Sequence, residues 1–119
     1  MENENKVWFL SSCDTCKRIM NELDISYDFF SYHDLKNNPI SIEELDEIAK
    51  VSGLKFEDLF NKRAQKYKDI KDKIVSEDDF KNAIISEYTF LKRPIIRIDG
   101  EYFVGNSKKV VLAAKEKLM

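Results

Sequence analysis

Val7-Trp8-Phe9-Leu10-Ser11-Ser12-Cys13-Asp14-Thr15-Cys16-Lys17-Arg18-Ile19-Met20 changes its periodicity once, and the fold is read from that change. Val7 to Leu10 is short, β-branched and aromatic and ends at two serines, the pattern of a buried strand. Beyond Cys16, the apolar residues Ile19, Met20 and Leu23 fall on one helical face, with Asp14 or Thr15 placed to cap the helix. Ile25 to Phe30 is aromatic and mostly apolar and reads as a second strand, reached through a short turn at Asp24. Strand, helix and strand within about 25 residues make a βαβ unit, which calls for a parallel pair and a right-handed crossover.

Outward from this unit the character shifts. Asn37-Asn38-Pro39 breaks the chain, and Ser41-x-x-Glu44 then forms a capping box ahead of Ile42, Leu45, Ile48 and Ala49, with Gly53 as the stop. A short segment with Phe56, Leu59 and Phe60 follows, then a charged stretch to Lys73. Another helical pattern runs through Phe80, Ala83, Ile84 and Tyr88, capped by Ser76. Residues 41–90 are thus expected to be a helical block. Sheet returns at Pro94 to Ile98 and Glu101 to Val104, and the intervening Asp99-Gly100 is a strong hairpin signal. A last helix starts near Ser107 and presents Val110 or Val111, Ala114 and Leu118. The order is β-α-β, helical block, β-β-α: an α/β chain with a mixed, four-stranded sheet in a single domain over residues 1–119.

The chain's 119 residues suit one such domain, and 43% hydrophobic with 35% charged residues excludes disordered and collagen-like classes. Twenty basic side chains against 22 acidic ones leave a net charge of −2, so bulk charge gives no reason to expect nucleic acid or an anionic membrane as partner. No window approaches the ~18 consecutive apolar residues of a membrane span. Met1-Glu2-Asn3-Glu4-Asn5 is polar and acidic, the opposite of a secretory leader, so a cytoplasmic location is expected. Nothing in the sequence requires more than a monomer.

Against that background the two cysteines stand out. In a reducing compartment a close pair is redox-active or metal-binding more readily than a structural staple. Cys13 falls where the first strand gives way to a helix. Unpaired N–H groups and the positive end of the helix dipole there favour an anion, and a thiolate is that anion. Lys17 and Arg18 oppose the dipole of their own helix but add positive potential beside the thiol. Cys16, one turn along, lies within disulfide reach and is the more buried by position. Cys13 then attacks and Cys16 resolves the mixed disulfide by exchange. Two other readings stay open: a zinc site, for which two cysteines and His33 fall short of four ligands, and two idle thiols.

These residues resemble the ArsC/Spx family of thioredoxin-fold proteins. The resemblance is carried by Cys13-Asp14-Thr15-Cys16-Lys17, by Leu59-Phe60-Asn61-Lys62-Arg63 with Tyr67, by Leu91-Lys92-Arg93-Pro94-Ile95, and by Val104-Gly105, in the family's order over roughly residues 6–112. It implies a thioredoxin-like sheet with a helical insertion and a nucleophile at Cys13. It also implies an oxyanion-binding Arg93 and a cis bond before Pro94, and Arg93, Pro94, Lys17 and Thr15 are expected to form the oxyanion- or substrate-binding set around the thiol. The implied activity is that of an arsenate reductase-like thiol–disulfide oxidoreductase. No metal or tightly bound cofactor is expected, and glutathione is the expected co-substrate, with a glutaredoxin or thioredoxin as alternative electron donor. The competing reading is an Spx-like regulator that binds RNA polymerase through a Cys13–Cys16 switch. Arsenate reductases of the family bring three arginines to the oxyanion. Here Arg93 is kept, the other two positions hold Asn61 and Asn106, and Arg63 is the nearest substitute. Losing two charge-assisted donors, each worth ~1.5–3 kcal/mol, weighs against arsenate as substrate.

Other features have plainer readings. Lys62 to Lys73 holds six basic and two acidic residues but one aromatic ring, Tyr67, and reads as a solvated face. His33 is expected to follow the second strand in an exposed position, and Trp8, Phe9, Phe29 and Phe30 to form the sheet core. The acidic cluster Glu43, Glu44, Asp46 and Glu47 reads as the wet side of an amphipathic helix.

Overall fold

A computed structural model describes residues 5–119; residues 1–4, with the acidic Glu2 and Glu4, lie outside the described residues. Strand β1 (Lys6–Phe9) leads into helix α1 (Asp14–Glu22), strand β2 (Ser31–Asp34) and helix α2 (Ile42–Ser52). Three further helices, α3 (Phe56–Leu59), α4 (Tyr67–Ile70) and α5 (Glu77–Ser86), precede a 3-10 turn at Tyr88–Phe90. Strands β3 (Ile95–Ile98) and β4 (Glu101–Val104) and helix α6 (Lys108–Leu118) complete the chain. It divides into two compact units, one of Met1–Asn38 with Arg93–Met119, the other Pro39–Lys92.

The first unit carries the sheet, in the order β2-β1-β3-β4, with β1 parallel to β2 and antiparallel to β3. This mixed four-stranded sheet is the thioredoxin-like arrangement. The period of two in each strand sorts the side chains. Val7, paired with Ile96, joins Ile98 and Phe103 in a core that also takes Ile19, Met20 and Leu23 from α1 and Val111 and Ala114 from α6. Trp8, one residue on, is also buried and belongs to the other set, with Arg97 5.5 Å and Tyr102 5.9 Å from its ring. The hairpin signal holds: Asp99 and Gly100 have φ of 50° and 84°, both positive as a tight primed turn requires.

The second strand is not where the aromatic run suggested. Ile25 N–H closes back on Met20 O at 2.9 Å, and both Phe29 and Phe30 N–H groups bond to Ser26 O, so residues 26–30 turn instead of extending. Ile25 and Phe30 are buried, whereas Tyr27 is 80% and Phe29 75% exposed; Phe29 is therefore no part of the core. Pairing starts only at Ser31, whose N–H reaches Asn5 O at 2.9 Å. The true strand is the polar Ser-Tyr-His-Asp segment, an edge strand in which every residue is half-buried. His33 accordingly sits within the strand, half-buried, with Nε2 2.7 Å from Asn38 O.

In the second unit, Ser41 and Glu44 cap α2 reciprocally, as do Ser76 and Asp79 for α5, and Gly53 ends α2 at φ 74°. Its core centres on Phe60, stacked on Phe90 at 4.9 Å and edge-on to Phe80 and Tyr67 at 5.2 Å each. The basic run from Lys62 is mostly exposed, with Lys62 paired to Glu57 and Lys66 to Glu87.

Candidate active site

The sheet register brings three chain ends together. Asp34 lies beside Phe9 across the parallel pair, and Trp8 pairs with Ile95 across the antiparallel one. The start of β3, preceded by Arg93 and Pro94, therefore meets the end of β1 from which the chain leaves for Cys13. The Arg93–Pro94 bond is cis, as the resemblance implied, and Pro94 is buried. Pro94 O accepts the Gly105 N–H at 2.9 Å, tying the end of β4 to the same place.

Leu10 to Cys13 form a turn closed by Cys13 N–H to Leu10 O at 2.9 Å. Cys13 itself, with extended φ of −98° and ψ of 112°, is the N-cap of α1, a place the sequence reading gave to Asp14 or Thr15. Its sulfur makes no capping bond of ordinary geometry, yet it sits where the first-turn N–H groups act on it. Cys13 is half-buried and Cys16, one turn into the helix, is 0% exposed; both are free thiols.

The two thiols are driven apart electrostatically. Burial pushes Cys13 upward, but the N–H and thiol of Cys16, the Arg93 guanidinium and the Thr15 N–H outweigh it and hold Cys13 below the ordinary thiol range. Cys16 is pushed up to about 12, first by burial and also by its neighbour Cys13, against the pull of the Leu10 N–H and Arg93. The surroundings favour the charged form of Cys13 and disfavour that of Cys16.

Of the other residues read from the sequence, Thr15 contributes through its N–H. Lys17 is exposed, and the cation that lowers Cys13 is Arg93, whose Nε is buried. Asn106 is exposed in the turn between β4 and the α6 cap, Ser107. Asn61 and Arg63 belong to the second unit. There Asn61 Nδ2 donates to Thr89 O at 3.4 Å and its Oδ1 accepts the Arg63 N–H at 3.1 Å, while Arg63 is exposed. Among the described residues no group of three or more His, Cys, Asp or Glu could hold a metal ion. No helix among them is long and apolar enough to cross a membrane.

One residue of this site escaped the sequence reading. Asp34 Oδ1 accepts the Ser11 N–H at 3.2 Å, reaching across 23 residues into the turn that presents Cys13. An acid at the end of the second parallel strand was the only available hint, and the strand itself had been placed too early.

Alkylation of Cys13 checks the electrostatics. Only the thiolate reacts, so the rate rises with pH through the Cys13 pKa, and its midpoint is expected below the ~8.5 of a free cysteine. Cys16 should stay unmodified across the same range. A Cys13 midpoint at or above that of free cysteine would contradict the assignment.

The comparisons with known proteins agree with this architecture. A solved structure from Bacteroides fragilis related to the ArsC family superposes with a TM-score of 0.77 at 20% identity, covering 98% of this chain and 99% of that one. An arsenate reductase from Vibrio cholerae gives 0.77 at 18% identity over 92% and 96%. An arsenate reductase-related protein from Brucella melitensis gives 0.66 at 21% over 92% of each chain. At such identities the likeness establishes the fold. A search of curated protein sequences found no match. The model of the ArsC family matches residues 9–114, nearly the whole chain, and with the cysteine turn, the cis-proline and the mixed sheet in their places this chain belongs to the ArsC family.

Proposed function

We propose that the chain is a thiol–disulfide reductase that works on glutathione mixed disulfides, as a monomer in the cytoplasm. The observation that carries this reading is the asymmetry of the two thiols: Cys13 half-buried at a helix N-terminus under the influence of Arg93, and Cys16 fully buried behind it. Cys13 thiolate attacks the substrate disulfide, that S–S bond breaks, and the departing thiolate takes a proton from solvent. Cys16 then loses its proton and attacks the Cys13 sulfur, releasing glutathione and leaving a Cys13–Cys16 disulfide. Two glutathione molecules, which leave as oxidised glutathione, or one reduced glutaredoxin or thioredoxin dithiol, which leaves as its disulfide, restore both thiols. Arg93 supplies a planar cation for a glutathione carboxylate and steadies the thiolate. Arsenate fits less well, because Arg93 alone remains of the three arginines that the resemblance calls for.

The test is steady-state turnover of a glutathione mixed disulfide. Arg93→Gln should lower kcat/KM by about tenfold or more, the loss of one charge-assisted contact in the transition state. It should also raise the Cys13 midpoint. Turnover unchanged by Arg93→Gln would remove Arg93 from the mechanism. No turnover, with oxidation-dependent capture of RNA polymerase, would replace the reductase by the regulatory switch.

A further inference from the structure

The turn that presents the nucleophile is tied to the neighbouring strand by the Asp34 carboxylate. Asp34 ends β2 beside Phe9, and the next residue, Leu35, donates its N–H to Phe9 O at 2.8 Å. Asp34 Oδ1 accepts the Ser11 N–H at 3.2 Å and the Lys36 N–H at 3.1 Å, and Oδ2 accepts from Asn37 Nδ2 at 3.4 Å. Ser11 is the second residue of the Leu10–Cys13 turn, with one residue, Ser12, between it and the nucleophile.

We infer that Asp34 is a positioning residue for Cys13: its carboxylate fixes the Leu10–Cys13 turn and so sets the Cys13 sulfur at the N-terminus of α1. The inference rests on the reading of Cys13 as nucleophile. Burial pushes the Asp34 carboxyl upward, but the Ser11 hydroxyl and the N–H groups of Lys36 and Ser11 outweigh it and keep it ionised at neutral pH. By charge alone an anion near a thiolate is unhelpful, since like charge disfavours the thiolate. What Asp34 contributes is geometry: Leu10 anchors the start of the turn in the core, but the two serines that follow bring no apolar side chain, and Asp34 holds the first of them.

This separates positioning from charge in one experiment, the pH profile of Cys13 alkylation together with its rate of mixed-disulfide formation. Removing a negative charge alone lowers the Cys13 midpoint in both Asp34→Ala and Asp34→Asn. Loss of positioning raises it in Asp34→Ala only, because Asn keeps an Oδ1 acceptor for the Ser11 N–H. The expected result for Asp34→Ala is a midpoint higher by about half a unit or more and a neutral-pH rate lower by about tenfold, as for a lost charge-assisted hydrogen bond. Asp34→Asn should stay within about threefold of the parent rate, consistent with a neutral hydrogen bond in place of a charged one. An unchanged or lowered midpoint in Asp34→Ala, in a protein that melts cooperatively, would overturn the inference. Should Asp34→Ala fail to fold, Ser11→Ala removes only the hydroxyl donor; a smaller slowing in the same direction supports the inference, and no slowing overturns it. An ordinary thiol titration in the parent protein is a distinct result, and it would defeat the nucleophile reading on which this rests.

Discussion

Cys13→Ser is expected to lower thiol–disulfide exchange by about a thousandfold or more, to the level of the uncatalysed reaction with glutathione. A serine hydroxyl at the α1 N-cap is not ionised at neutral pH and is a poor nucleophile toward sulfur. None of the surrounding apparatus can compensate, because the Thr15 and Cys16 N–H groups and Arg93 act on an anion that no longer forms. The fold should tolerate the change, since Cys13 is half-buried and serine is a preferred N-cap residue. Activity and stability therefore part company: turnover disappears while the thermal transition stays or rises slightly. Residual turnover within tenfold of the parent would mean that another group attacks the disulfide.

Cys16→Ser should have the second-largest effect, and of a different kind. Cys13 still attacks, but its mixed disulfide has no neighbour to resolve it, so a glutathione adduct accumulates on Cys13 in place of a disulfide. The trap is sharp because Cys16 is fully buried and holds its proton, so it resolves only the adduct next to it and does not compete for substrate. Serine also brings a hydroxyl into an apolar setting, at a cost of roughly 1–3 kcal/mol if it finds no partner. Cys16→Ala therefore serves as the control, trapping the same adduct without the buried hydroxyl. Intact mass after exposure to oxidised glutathione checks both variants. An adduct on neither would show that Cys13 is not the attacking thiol.

Much of this was legible in the residues themselves. Val7 to Leu10, the Asp99-Gly100 hairpin, the serine caps at 41 and 76 and the helix start near Ser107 each combine a local preference with a matching hydrophobic pattern, and all five signals survive in the fold. The pair Cys13 and Cys16 was readable from its place after a strand. Two things were not. The run Ile25 to Phe30 has a strand's composition, but Ser26 accepts two N–H bonds that close a turn, and Tyr27 stacks on Tyr32 at 4.0 Å outside the core. The polar segment that does pair, Ser31 to Asp34, owes its place to β1 rather than to its own hydrophobicity. Asp34 was missed for the same reason: its role depends on which residue lies across the sheet, and a hydrogen bond spanning 23 positions leaves no local pattern.

The most direct test of the account is a redox titration of the whole chain in glutathione buffers, quenched by alkylation and read by intact mass. The two thiols are expected to be lost together, as one Cys13–Cys16 disulfide, at a potential near that of a cytosolic glutathione pool. Two thiols that stay free and unmodified in strongly oxidising buffer would contradict it, leaving a thioredoxin-like scaffold that keeps the cysteine turn without its chemistry.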